Sequence, residues 1–217
     1  MQSIFSAPDG HNQRHLPSGL PLSIGRRRIG LLGGSFNPAH QGHVHISQLA
    51  KAKLGLDEIW WLVSPQNPLK SPTATSALTH RMRMAKEITS THRFIKIMAP
   101  EADLGTRYTL DFAKWLRLRY GNGRFVWLMG ADNLSGFHFW QGWQQIAQLL
   151  PIAVIDRPGY RHKAVASKAA RALEDWRWPE TRALGLADAA PPAWCFLHGP
   201  LSAQSSTAIR AQCKDAD

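Results

Sequence analysis

Two cysteines, Cys195 and Cys213, are all that the 217 residues contain. That is too few for a disulfide framework and fits a reducing compartment, so a secreted disulfide scaffold is excluded and a cytoplasmic location is expected. Long apolar runs are missing as well. The longest, Ile59 to Val63 and Leu149 to Ile155, fall far short of the roughly 20 residues that cross a bilayer, so no membrane association is expected. Charge is sparse, at 19% of residues, and acid is the scarcer sign: 26 Lys and Arg face 15 Asp and Glu, a formal net charge of +11. Hydrophobic residues make up 44% and tryptophan occurs nine times, enough to build a core and to exclude global disorder. The basic excess points to polyanionic partners, nucleic acid or phosphorylated small molecules. The runs Arg26-Arg27-Arg28 and Arg161-His162-Lys163 carry no interleaved aromatics and no known binding motif, so no nucleic acid partner is expected.

Residues 1–27 hold Pro8, Pro17, Pro21, Gly10, Gly19 and Gly25 with no sustained period and no apolar signal-peptide core. They are expected to form a flexible N-terminal extension. From Arg28 short apolar runs alternate with amphipathic stretches. Strands are expected at Ile29–Leu32, Ile59–Val63, Phe94–Met98, Phe125–Met129, Ile152–Ile155 and Trp194–Leu197. Helices are expected at His43–Leu54, Arg81–Ile88, Leu110–Leu118 and Trp140–Leu149, and a basic, alanine-rich helix after Tyr160. Strands alternating with helices of this length imply βαβ units: an α/β, doubly wound parallel sheet in a single domain, residues 28–217.

Ligands of such sheets bind beyond the C-terminal strand ends. After the first strand comes Gly33-Gly34-Ser35-Phe36-Asn37-Pro38-Ala39-His40-Gln41-Gly42-His43, opening a helix. The glycines let backbone approach an anion, and the helix start offers free N–H groups to negative charge. His40 and His43 stand at that entrance, where each ring can donate to a phosphate oxygen. No Gly-Lys-Ser/Thr follows and no Gly-x-Gly-x-x-Gly occurs, so neither a Walker A loop nor a dinucleotide fingerprint is present. His40, His43 and His45 have no Cys, Asp or Glu nearby in sequence and do not make a zinc signature. No metal is therefore expected on protein side chains.

The Gly-Gly-Ser-Phe-Asn-Pro run followed by His40-x-Gly42-His43 resembles the signature of the nucleotidyltransferase superfamily, which has a Rossmann-like core. Ser205-Ser206-Thr207-Ala208-Ile209-Arg210 resembles its second signature. Within the superfamily the resemblance from Ile29 to Arg210 is nearest to bacterial nicotinate-nucleotide adenylyltransferases. Ser64 to Lys70, Gly105 to Asp111, Met129 to Leu134 and Asp156 to Tyr160 carry it, with Trp140 ahead of Trp143. Ser35 stands where Thr is commoner, and Asn37 where Asp is commoner.

The resemblance implies transfer of AMP from ATP to nicotinate mononucleotide, giving nicotinate adenine dinucleotide and pyrophosphate in NAD biosynthesis. It makes His40 and His43 the catalytic residues. It places Gly33, Gly34, Ser35, Phe36, Gly42, Lys70, Asp132, Ser205, Thr207 and Arg210 around ATP. It assigns Thr106, Tyr108, Thr109 and Trp140 to the mononucleotide. Trp140 would stack on the pyridine ring, and backbone N–H groups near Tyr108 and Thr109 would meet its carboxylate. Mg²⁺ is expected to arrive on the ATP phosphates. A monomer and a homodimer are both compatible with the sequence.

Overall fold

A computed structural model describes residues 16–65, 76–121 and 123–200. Seven strands, every pair parallel, form one sheet in the order β3-β2-β1-β4-β5-β7-β6. In chain order the elements are β1 (Arg28–Gly34), α1 (Gln41–Leu54), β2 (Glu58–Val63), α2 (Leu78–Ile88), β3 (Ile95–Met98), α3 (Pro100–Asp103) and α4 (Thr109–Tyr120). There follow β4 (Arg124–Gly130), α5 (Ala131–Gly136), α6 (Trp143–Leu149), β5 (Ile152–Ile155), α7 (Arg161–Val165), α8 (Lys168–Ala172), β6 (Arg177–Trp178) and β7 (Trp194–Leu197). The chain winds outward from β1 to β3, then returns to β4 on β1's other side. The topological switch point is therefore between β1 and β4, and a crevice opens beyond their C-terminal ends.

β2 and β4 are nearly continuous hydrophobic runs because both of their faces are covered. Trp60 and Trp61, adjacent on β2, point to opposite faces and are both fully buried. Trp60 packs with Phe112, Phe125 and Trp127 on one side of the sheet. Trp61 packs with Phe36, Leu54 and Ile59 on the other. α1 buries Val44, Ile46, Ala50 and Leu54 and ends at Gly55, whose φ of 61° is the left-handed cap conformation that glycine adopts without strain.

The six expected strands are present, with three departures around them. α6 starts at Trp143, and Trp140 lies before it in an extended conformation. The alanine-rich stretch is two helices, because Ser167 accepts the N–H of Ala170 and caps the second. The two-residue β6 extends the sheet beyond β7.

A further correction concerns the N-terminal segment. Residues 16–27 lie against the domain: Leu20 and Ile24 are buried in the same cluster as Trp60 and Phe125. Tyr120 donates its hydroxyl to Pro21 O at 2.6 Å, the N–H of Ser18 reaches Asp103, and Arg27 pairs with Glu58 at 2.7 Å. Two apolar residues four apart suffice to pack this segment, too short a pattern to register as a period. The boundary expected at residue 28 thus falls inside packed structure; residues 1–15 of the expected extension lie outside the described residues.

Candidate active site

At the end of β1 the main chain must pass beneath Trp127: a Cβ on Gly33 would lie 2.7 Å from the indole. The turn that follows puts Phe36 at φ 45°, a conformation disfavoured for a bulky side chain. Burial compensates. Phe36 is 1% exposed, stacks on Trp61 with ring centroids 4.8 Å apart, and touches the His43 ring at 4.7 Å.

The turn delivers His40 as the N-cap of α1 and His43 as its third residue, in a reciprocal capping box. His40 Nδ1 accepts the N–H of Gly42 at 3.1 Å, and His43 Nδ1 accepts the N–H of His40 at 3.3 Å. With both Nδ1 atoms accepting, each neutral imidazole carries its proton on Nε2. The rings lie 3.9 Å apart and both line a cavity of about 390 Å³ at the switch point. Burial, followed by the charge of Arg157, lowers the His40 pKa to about 4. Burial, then His40, then Arg157 hold His43 well below its ordinary value. At neutral pH the pair is thus two uncharged donors.

The cavity brings together Gly33, Gly34, Ser35 and Phe36 from the first turn and Tyr108 and Thr109 at the start of α4. Asp132 on α5 and Trp140 line it as well. Asp132 Oδ2 accepts from Arg157 at 2.8 Å, while its buried Oδ1 has no partner among the described residues. Trp140 stands edge-on against Trp127 and Phe137, at 6.2 and 5.4 Å. These contacts fix its plane.

Three expected residues act differently from expectation. Gly42 contributes its N–H to His40 rather than lining the cavity. Thr106 is likewise absent from the wall: its hydroxyl donates to Asp111 at 2.6 Å and accepts the N–H of Tyr108 at 3.1 Å. That bond occupies the Tyr108 N–H, which cannot then meet a carboxylate. Thr109, the first helical residue of α4, retains the free N–H of a helix start. Lys70, Ser205, Thr207 and Arg210 lie outside the described residues.

Sequence reasoning missed Glu101, Arg107, Asn133 and Arg157, which also line the cavity. Glu101 and Arg157 follow β3 and β5 closely, so the rule that ligands sit beyond strand C-termini was the available signal. Arg81 on α2 was missed too, and it works from beneath. It is 1% exposed and donates to four carbonyls: Ser35 at 2.6 Å, Ser64 at 2.8 Å, Pro65 at 2.9 Å and Ser76 at 2.8 Å. No carboxylate partners it among the described residues; the guanidinium is a five-donor fork spent on backbone.

Comparison with known proteins identifies the family. The sequence model of the Cytidylyltransferase-like family matches residues 31–212. A "probable nicotinate-nucleotide adenylyltransferase" of Methylorubrum extorquens is 49% identical over 185 residues, covering 85% of this chain and 100% of the relative. A Bradyrhizobium protein of the same name is 51% identical over 183 residues, covering 84% and 95%. Among solved structures, the nicotinic acid mononucleotide adenylyltransferase of Plasmodium falciparum complexed with NaAD superposes with a TM-score of 0.55 at 20% identity. It covers 85% of this chain and 83% of that one, and supports the fold. With its first signature folded into a histidine-capped helix start at the switch point, and relatives at this identity over most of its length, the chain belongs to the nicotinate-nucleotide adenylyltransferases of the cytidylyltransferase-like family.

Proposed function

We propose that this chain transfers the adenylyl group of ATP to nicotinate mononucleotide, forming nicotinate adenine dinucleotide and releasing pyrophosphate. The observation that carries the reading is the pair of neutral histidines whose Nε2–H groups serve the cavity at the N-terminus of α1. The curated relatives bear the name of this activity.

The chemistry follows from the residues. An oxygen of the mononucleotide phosphate attacks the α-phosphorus of ATP in line. The bond from that phosphorus to the bridging oxygen of the β-phosphate breaks, and pyrophosphate carries the electron pair away. No protein nucleophile takes part, so catalysis is positioning and charge stabilisation. His40 and His43 donate to the α- and β-phosphates as charge builds on their oxygens, and Arg157 adds a positive charge nearby. The Oδ1 of Asp132, without a partner among the described residues, is the acceptor for an ATP hydroxyl or amine once the nucleotide is seated. Trp140 stacks on the pyridine ring, and the Thr109 N–H meets its carboxylate. The resemblance assigns Lys70, Ser205, Thr207 and Arg210, which lie outside the described residues, to the phosphates.

No group of three or more His, Cys, Asp or Glu able to hold a metal occurs among the described residues. Mg²⁺ enters as part of the ATP substrate, where it neutralises triphosphate charge. The partners are these two nucleotides. Among the described residues no helix is long and apolar enough to cross a membrane, and the enzyme is assigned to the cytoplasm on its cysteine content. A pyrophosphate-release assay with MgATP against nicotinate mononucleotide, nicotinamide mononucleotide and phosphopantetheine tests the reading. The first acceptor is expected to dominate; turnover with phosphopantetheine alone would transfer the chain to a sister activity.

A further inference from the structure

α3 begins at Pro100, immediately after β3 and Ala99, and sets Glu101 into the cavity wall. The residue is 6% exposed and makes no ion pair among the described residues. Its side chain accepts one long hydrogen bond, 3.5 Å, from the Thr109 hydroxyl. Thr109 and Trp140 line the same cavity, so an unpaired carboxyl shares the wall assigned above to the pyridine ring.

The charges around it are few. On α4, Asp111 repels it while being held by the Thr106 hydroxyl. On α3 itself, Asp103 accepts the Ser18 N–H. Arg107, between α3 and α4, lies over the Tyr108 ring at 5.9 Å. β2, packed against α3, offers the buried Trp60, Trp61 and Leu62. Elsewhere on the cavity wall stand His40, His43 and the Asp132–Arg157 pair. Burial raises the Glu101 pKa most, the Thr109 hydroxyl opposes it and Asp111 adds to it, leaving a value of about 7.

We propose that Glu101 is a specificity-determining residue that senses the acceptor's pyridine substituent through its own proton. As a neutral acid it donates O–H to the carboxylate of nicotinate mononucleotide. As a carboxylate it repels that group and accepts instead from the amide NH₂ of the nicotinamide analogue. Acid-over-amide selectivity therefore falls as pH rises. The inference rests on the proposed function and adds a second contact to the Thr109 N–H.

The test is the ratio of kcat/KM for nicotinate over nicotinamide mononucleotide, measured with MgATP from pH 6 to pH 9. Both reactions share ATP and the histidines, so ionisations common to the two cancel. The ratio is expected to fall at least about tenfold, the size of one charge-assisted hydrogen bond. Glu101→Gln keeps an NH₂ donor at every pH and should give a flat ratio. Thr109→Val removes the opposing hydrogen bond and should move the midpoint of the fall to higher pH, which keeps the idea testable if Glu101→Gln does not fold. A pH-independent ratio in the native enzyme, or an equal slope in Glu101→Gln, would overturn the role of Glu101 alone. Absence of turnover with both acceptors would instead remove the proposed function and this inference with it.

Discussion

The backbone N–H of His40 is hydrogen-bonded to Nδ1 of His43 at 3.3 Å, so the ring proposed to serve the phosphates also caps its own helix. Replacing His43 by Ala removes one preorganised donor and half of a capping box. The donor is worth about 10²-fold or more in kcat, whereas the cap is worth about 1 kcal/mol. His43→Ala is therefore expected to lose at least about 10²-fold in kcat and to stay folded, as circular dichroism and steady-state kinetics would show. Near-native turnover would contradict the catalytic assignment.

Trp140 presents a ring held edge-on by Trp127 and Phe137. Stacking recognises the pyridine ring rather than its substituent, so Trp140→Ala should raise KM for both mononucleotides by similar factors. A loss confined to nicotinate mononucleotide would mean that the indole positions the carboxylate.

Opposing proton linkages run through the site. Burial lowers His40 from 6.5 to about 4, so between those values the unfolded chain binds a proton that the folded chain does not. Stability from this term is complete above pH 6.5 and falls as pH drops towards 4. Glu101 works the other way: its pKa rises from 4.5 to about 7, so the folded chain holds the extra proton and stability falls as pH rises through that window. Glu101→Gln removes the second term. Its stability relative to the native protein should be near its lowest at pH 4.5 and should grow by a few kcal/mol by pH 8, at about 1.4 kcal/mol per unit. Urea unfolding of both proteins at the two pH values checks the sign, and a constant difference would refute it.

Ile24 and Leu20 sit in the core cluster of the sheet face that also holds Trp60. Ile24→Ala is expected to cost about 2–4 kcal/mol in urea unfolding, and deletion of residues 1–26 to cost at least as much. Unchanged stability of the deletion would show that residues 16–26 contribute nothing to the folded domain.

The sheet was legible because its strands are apolar runs and its first turn carries glycines and histidines in one register. Gly33, His40 and His43 are neighbours in sequence, so their chemistry could be argued locally. Arg81, Glu101 and Arg157 could not be reached this way. Each acts on partners brought together by the fold: Arg81 on Ser35, 46 residues away, and Arg157 on Asp132, 25 residues away. The Tyr108 N–H failed as a carboxylate donor for a local reason, since the hydroxyl of Thr106 two residues earlier competes for it. Leu20 and Ile24 were hidden among prolines and glycines whose usual meaning is loop.

Arg81 ties the turn after β1 at Ser35, the exit of β2 at Ser64 and Pro65, and the approach to α2 at Ser76 to one planar group. These three stretches therefore behave as a single rigid joint, and none can be exchanged between relatives by itself. A chimera that imports a new α2 must bring an arginine at this position. Otherwise up to four backbone acceptors lose their donor, and the fault surfaces at the turn ahead of His40 although no residue of that turn was altered.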